Sequence, residues 1–511
     1  MQTKIFSATT IGVEAYSVEV EVDLSLGMIN FFIVGLPDLA IKESRQRIQT
    51  ALKNCGIKLP ERKITVNLAP ADLKKEGTTF DLPIAIGILQ AAKLLTIPTI
   101  FLEETLFLGE LSLDGTIKPI KGALAIAYGA KKLHKKRIIM PLENAPEAAF
   151  IEKIEVIGVN HLVELIAFLR HEKNIAPTPP TVPVKIKKES TLDFSQVKGQ
   201  ENAKRALLIT AAGNHNILFI GSPGAGKTML AQRLVTIMPD MSFEETLQAS
   251  KVYSITGKLK GYPLVTERPF RAPHHTISQA GLVGGGSFPQ PGEISLAHQG
   301  ILFLDELTEF KRATLEALRQ PLENKQVCIA RAHQSITFPA SFLLIAAFNP
   351  CPCGFYGDKK RECTCSPLQL RRYLEKLSGP LLDRIDLQVP VPTIDYDTIK
   401  DKKTTTSSND MKEYVQRALN AQKKRFGNDT QRNATMNSDE IEKYCVLSEP
   451  AEQLIKKVFN HLHLSMRGYH KVLKVARTIA DIDLQEIIEV RHLQEALSYR
   501  SLDHYLERKL L

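Results

Sequence analysis

Residues Gly221 to Thr228 read GSPGAGKT, directly after the apolar run Ile217, Leu218, Phe219, Ile220 and directly before a stretch with helical periodicity. A GxxxxGK[ST] loop between a strand and a helix is a phosphate cradle. Gly221, Ser222, Pro223, Gly224, Ala225 and Gly226 let successive backbone N–H groups turn inward around a polyphosphate, Lys227 reaches the outer phosphates, and the Thr228 hydroxyl ligates magnesium. Downstream, ILFLDE at Ile301 to Glu306 reads as a buried strand ending in two carboxylates, with Asp305 placed to hold the metal and Glu306 to orient a water. A glycine-rich loop alone is weak; paired with an apolar strand that ends in Asp-Glu it is a specific signal for a nucleoside triphosphate with magnesium.

Strand-like runs alternate with helical ones around these motifs, the pattern of an α/β fold with a parallel sheet covered by helices, in which phosphates sit at the carboxyl ends of the strands. A further apolar strand, FLLIAAF at Phe342 to Phe348, ends in Asn349. A polar residue there can touch the outer phosphate or the attacking water; the bland reading is a turn former before Pro350. Next come Cys351, Cys353, Cys363 and Cys365, two CxC pairs compatible with thiolates on facing turns around a tetrahedral zinc, or with reduced thiols in a surface hairpin.

The chain of 511 residues is too long for one core. Residues 174–192 are rich in proline and lysine and lack periodicity, and 400–410 form a second polar break, so three domains are expected: 1–172, 193–399 and 411–511, with linkers at 173–192 and 400–410. In the last, Tyr469, Val472, Leu473, Ala476, Ile479 and Ala480 recur at helical spacing, as do Ile487, Val490, Leu493 and Leu497. No apolar run approaches the roughly 18 to 20 residues that cross a bilayer, and no basic segment followed by an apolar one opens the chain, so a cytoplasmic protein without a membrane partner is expected. Seven cysteines without a secretory signal argue against a disulfide framework. The net charge of +10 favours an anionic partner such as nucleic acid, although each basic cluster, such as Lys185, Lys187 and Lys188, reads singly as a solvated face.

Together these residues resemble the AAA+ ATPases, and within them the magnesium-chelatase-like group. RPFRAPHHT at Arg268 to Thr276, PGEISLAHQGILFLDE at Pro291 to Glu306, AAFNPCPCG at Ala346 to Gly354 and SGPLLDRIDL at Ser378 to Leu387 are similar to the YifB/ComM family over nearly the whole chain. The resemblance implies a P-loop AAA+ core with a helical C-terminal lid, ATP and magnesium as cofactors, a homo-oligomeric, hexameric ring, and branched or single-stranded DNA as partner. The implied activity is a DNA motor, a helicase for branch migration in homologous recombination or natural transformation. A magnesium-chelatase motor subunit is the alternative. By motif, Arg384 in LLDRID resembles the arginine finger that reaches a neighbouring subunit's nucleotide, and Arg467 in LSMRGYH the sensor arginine of the lid; local salt bridging is the competing reading of each.

Two segments are candidate pore loops: the insert 262–299, with Arg268, Arg271, His274 and His275 as candidate DNA contacts, and the turn containing Arg331 and His333. The N-terminal segment resembles the α+β peptidase domain of Lon, in KEGTTFDLPIAIGIL at Lys75 to Leu89 and LGELSLDGTIKPIKGALAIA at Leu108 to Ala127. Thr79 stands where the resemblance expects serine and Ile126 where it expects lysine. Without the basic partner a hydroxyl is a poor nucleophile, so this domain reads as a scaffold or DNA-binding element and a peptidase is excluded.

Overall fold

Three strands of unbroken apolar sequence, and a fourth interrupted by the buried Gln388, dictate the centre of the second half of the chain. In a computed structural model β10 (Ile217–Ile220), β14 (Ile301–Leu304), β17 (Leu343–Phe348) and β18 (Leu387–Pro390) lie side by side, with β11 (Phe270–Arg271) at one edge, in the order β11-β14-β17-β10-β18. Every pairing is parallel, and β10 is central between β17 and β18, Phe219 standing opposite Ala347 on one side and Val389 on the other. Buried on both faces, such strands need helices above and below, which is why they read as continuous rather than alternating apolar runs. The structure describes residues 2–500 apart from 29, 60, 76, 183–191, 260–262, 287–288, 332–333, 359, 378, 396–405 and 462–463. Parts of both expected linkers, Lys185, Lys187 and Lys188, and His333 therefore lie outside the described residues.

The chain forms two units. The first comprises residues 1–185, 243–266 and 330–338; the second comprises 186–242, 267–329 and 339–511. The first contains a mixed sheet of β1 (Gln2–Ile11), β2 (Glu14–Ser25), β3 (Asn30–Val34), β4 (Lys63–Ala69), β5 (Thr105–Phe107), β8 (Arg137–Pro141) and β9 (Glu155–Val159), in the order β3-β4-β2-β1-β5-β8-β9. Thr79 lies in the turn before the buried helix Asp81–Ala91, and Ile126 is 2% exposed within the helix Ala123–Lys132, an apolar side chain that supplies no base.

This division differs from the expected one at residues 243–266, which fall in sequence inside the nucleotide-binding stretch yet cluster with the first unit. The helix Phe243–Ile255 belongs there because its small polar residues complete a buried network. Ser254 Oγ donates to Glu147 Oε2 at 2.8 Å, Asn144 Nδ2 donates to Glu147 Oε1 at 2.7 Å, and the Leu124 backbone N–H donates to Ser254 Oγ at 3.3 Å. Burial pushes the Glu147 carboxyl above its ordinary value against these donors.

In the second unit the C-terminal helices share one core with the sheet. Val472, Leu473, Ala476, Ile479 and Ala480 from the helix Met466–Ile482, capped by Ser465, pack in the same cluster as Ile217, Phe219 and Val389. Helix Val490–Ser498 contributes Leu493, while Ile487 precedes it and is 49% exposed. At the amino-terminal edge of the sheet Asp386 fastens the strands: Asn216 N–H donates to its Oδ2 at 3.0 Å, and Lys471 Nζ stands 2.9 Å from its Oδ1. Burial works to raise the Asp386 carboxyl, but Lys471 and His215 prevail and hold it well below the usual carboxylate range.

A depressed carboxylate stabilises the fold above its unfolded pKa of about 3.9, and that contribution is lost as pH falls toward the folded value. Asp386→Ala is expected to lower unfolding stability at pH 7 by about 3 kcal/mol, because it leaves Lys471 buried without its partner. Urea titrations of both proteins should show this deficit shrinking below pH 4 or so, where the wild-type carboxylate also loses its advantage.

Candidate functional site

The loop Gly221 to Gly226 leaves β10 at its carboxyl end and enters the helix Lys227–Ile237. It can do so because Gly224 and Gly226 sit at φ +77° and +91°, left-handed conformations that a side chain resists. A Cβ at Gly221 would stand 2.2 Å from the Val391 carbonyl, so only glycine permits the loop to start so close to the end of β18. Lys227 Nζ donates to the carbonyls of Gly221 at 2.6 Å and Ser222 at 3.1 Å, and to Asn349 Oδ1 at 3.0 Å. Burial pulls its ammonium below the ordinary lysine value, opposed by Asp305 and Glu306.

Thr228 Oγ1 donates to Asp305 Oδ2 at 2.7 Å. A hydroxyl and a carboxylate at the head of the phosphate loop are hard oxygen donors, the chemistry that magnesium takes, so these two residues fit that ion. Glu306, at φ +52°, donates its backbone N–H to Asp305 Oδ1 at 2.9 Å, and its Oε2 lies 3.1 Å from His275 Nδ1. The structure thus brings Lys227, Thr228, Asp305 and Asn349 together at the carboxyl ends of β10, β14 and β17, with Glu306 beside them.

Arg384 and Arg467 are not there. Asn216, which precedes β10, donates from Nδ2 to the Arg384 carbonyl at 3.0 Å, so Arg384 sits at the amino-terminal edge of the sheet. The four residues of β10 separate it from the phosphate loop by about 13 Å along the strand. Both guanidiniums converge on Glu323 Oε1, each from Nη2 at 2.5 Å, and with them that carboxyl is held below its ordinary value although burial works to raise it.

The four cysteines do come together, every Sγ lying within 4.8 Å of the others. Cys351 Sγ is 3.2 Å from Cys353 Sγ and 3.6 Å from Cys363 Sγ, and Cys353 and Cys363 are 3.5 Å apart. Tetrahedral zinc with Zn–S of about 2.3 Å has edges of about 3.8 Å, so the thiols fit that ion. Backbone N–H groups of Tyr356, Cys353 and Cys365 point at Cys351, Cys365 and Cys363 sulfurs, the outer hydrogen bonds that orient thiolate ligands. The Phe355 N–H and the Cys351 thiol bring Cys353 down to about 6, while burial and Cys353 push Cys351 up to about 12.

The candidate DNA contacts of the insert have partners within the chain. Arg268 donates to the carbonyls of Pro239 and Gln299, Arg271 makes a two-pronged pair with Glu293, His274 meets Thr276, and His275 meets Glu306. These contacts tie the four side chains into the insert, with His274 still exposed. Arg331 closes β15 (Gln326–Arg331), ahead of β16 (Gln334–Pro339), and its side chain lies outside the described residues. The motif reading missed Glu323, Asp358 and Gln200. Gln200 donates to the carbonyls of Ala225 and Pro392 and so ties the phosphate loop to the strand beside it; Asp358 accepts from Ser222 Oγ at 2.8 Å. Glu323 lies in the short helix Arg319–Asn324, and Gln200 and Asp358 lie in connecting segments, so none carries a periodic signal.

Residues 193–399 match the family described as magnesium chelatase, subunit ChlI; residues 20–144 match subunit ChlI of Mg-chelatase, and 405–500 the ChlI C-terminal region. The chain is 43% identical to the uncharacterized protein YifB of Escherichia coli (strain K12), covering 98% of this chain and 97% of that one. It is 43% identical to the competence protein ComM of Haemophilus influenzae, covering 99% and 98%. The magnesium-chelatase 38 kDa subunit of Rhodobacter capsulatus is 26% identical over 31% of this chain and half of its own.

Lys227→Ala is expected to weaken binding of a fluorescent ATP analogue by at least about tenfold, one lost charge-assisted contact to phosphate. Glu306→Gln should bind it as wild type does and hydrolyse ATP at least about a hundredfold more slowly. Equilibrium titration with single-turnover hydrolysis separates the two effects, and near wild-type hydrolysis by Glu306→Gln would remove it from the reaction.

Proposed function

We propose, on the premise that this chain belongs to the YifB/ComM family of magnesium-chelatase-like AAA+ proteins, that it is an ATP-hydrolysing motor that moves branch points in DNA. The observation that carries the motor reading is the placement of Lys227 and Arg384 at opposite ends of β10. Arg384 does not serve the phosphate loop of its own chain; a second copy brings it to one. Hydrolysis then depends on assembly, and a closed ring, hexameric by resemblance, satisfies every site.

At each site Lys227 and the loop N–H groups hold the outer phosphates. Magnesium, held by Thr228 and Asp305, supplies a Lewis acid for the phosphoryl oxygens. Glu306 orients the attacking water, and Asn349 fixes Lys227 while offering its amide to the outer phosphate. Arg384 and Arg467, gathered by Glu323 into one cationic pair, enter together from the neighbouring chain and offset the charge that develops on the transferred group. The cysteine cluster holds a structural zinc.

DNA as the track is supported by similarity to ComM over nearly the full length of both chains and by the net charge of +10. The chelatase reading draws on the ChlI descriptions, that of residues 20–144 included, but the chelatase subunit matches less than a third of this chain.

Arg384→Ala is expected to bind ATP and not hydrolyse it, and mixing it with Lys227→Ala should restore part of the activity at interfaces where an intact loop meets an intact finger. Mixed rings that form and stay inactive would exclude action between chains. Synthetic Holliday junctions incubated with protein and ATP and resolved on a native gel should be converted to branch-migrated products. Binding should weaken steeply with salt and little with base sequence, because it rests on counterion release. Hydrolysis that no fork, flap or junction stimulates, with no strand movement, would favour the chelatase reading.

A further inference from the structure

The cysteine loop is built into the nucleotide site at both ends. It begins two residues after Asn349, whose Oδ1 holds Lys227, and Cys351 is fully buried at that entry. In its middle, Gly354, at φ +85°, lies so close to the phosphate loop that an added Cβ would be 2.6 Å from Pro223 Cδ. Asp358 then bridges the two loops. Its Oδ1 accepts the backbone N–H groups of Lys360 at 2.7 Å and Arg361 at 3.3 Å, closing the turn between the cysteine pairs, while its Oδ2 accepts Ser222 Oγ at 2.8 Å. A cavity of about 530 Å³ opens beside this bridge, lined by Gly221, Ser222, Tyr356, Asp358 and Val391 among others, so the phosphate loop is not backed there by solid packing.

We propose that a zinc ion in the Cys351, Cys353, Cys363 and Cys365 cluster sets the position of the phosphate loop and of Asn349, with Asp358 as the positioning residue, so that nucleotide affinity depends on the metal. The proposal rests on reading the cysteines as a zinc site and does not depend on DNA. The Cys351–Cys365 stretch is a long excursion between β17 and the helix Pro367–Leu374. Four thiolates on one ion fix both CxC arms of that excursion at once. With the arms fixed, the carboxylate of Asp358 is presented to Ser222, and the chain entering at Asn349 is held at its other end. Without the ion the arms separate, the bridge loses its register, and both groups that confine Lys227 shift together.

The test uses the full-length protein, purified without chelator, with elemental analysis and titration of a fluorescent ATP analogue in the absence of DNA. The expected result is about one zinc per chain, and a loss of affinity of about tenfold or more when a chelator removes it, reversed by adding zinc back. Asp358→Ala and Ser222→Ala should each weaken binding by about fivefold, the double variant no more than either single one, and Asp358→Asn, whose Oδ1 keeps the backbone N–H groups of the turn while its Nδ2 donates to Ser222 Oγ, should bind as wild type. All four Asp358 and Ser222 variants should retain zinc. Protein without zinc overturns the metal site, and zinc-loaded protein whose affinity is indifferent to metal removal overturns the coupling. Additive losses in the double variant, or no rescue by asparagine, remove Asp358 from the positioning role. Cys351→Ser with Cys353→Ser should lose the metal, and the chelator experiment on wild-type protein keeps the test valid where that variant does not fold. A failure of the motor reading, by contrast, leaves nucleotide binding and its metal dependence unchanged.

Discussion

The ammonium of Lys227 is the tie on which the nucleotide-binding half of this protein depends. It is buried, it donates to two carbonyls of its own loop and to the amide of Asn349, and so it joins the carboxyl ends of β10 and β17. A buried ammonium is stable only where every proton finds an acceptor. That requirement fixes the loop's curvature, the side chain at the end of the neighbouring strand, and the glycines that let the carbonyls turn toward one point. Thr228 and Asp305 repeat the arrangement one strand further on.

A parallel sheet has two chemically different ends, and this one uses both. The carboxyl ends gather oxygen donors and backbone N–H groups. The amino ends gather Arg384, Arg467 and Glu323 around the Asp386 fastening, where Lys471 and His215 keep a carboxylate ionised in a nearly closed environment. On the proposed reading the two ends belong to one reaction only when copies meet. The strand that separates them then acts as a ruler that keeps each chain's arginines away from its own loop.

The parts of this arrangement that sequence makes legible are those with a local signature. An apolar run, a change of residue type at its end and a glycine loop sufficed to locate Lys227, Thr228, Asp305 and Asn349, and helical spacing sufficed for Met466–Ile482. The four cysteines were visible as two pairs, and only the fold shows that the pairs close on one another. Glu323, Asp358 and the partnership of His275 with Glu306 were not legible, because each links residues far apart in sequence through turns or short helices where charge has no period. The intramolecular partners of the insert arginines were not legible for the same reason: a guanidinium that caps carbonyls or meets a glutamate within the chain looks, in sequence, like one that faces solvent.

The helix Phe243–Ile255 has a bearing on how the chain matures. Residues 1–172 emerge from the ribosome long before Ser254 does, yet Glu147 is buried with Ser254 as one of its donors, and Leu247 and Leu264 complete the apolar cluster around Leu124 and Phe150. Glu147 therefore gains its Ser254 donor, and the cluster its Leu247 and Leu264, only after residues 243–266 have been made. Until then Asn144 meets one Glu147 oxygen while the other lacks Ser254, and the face that Leu247 and Leu264 cover lacks them, through translation of the phosphate loop and the helix behind it. The two units are interleaved along the chain, so neither corresponds to one continuous stretch that a single cut could separate.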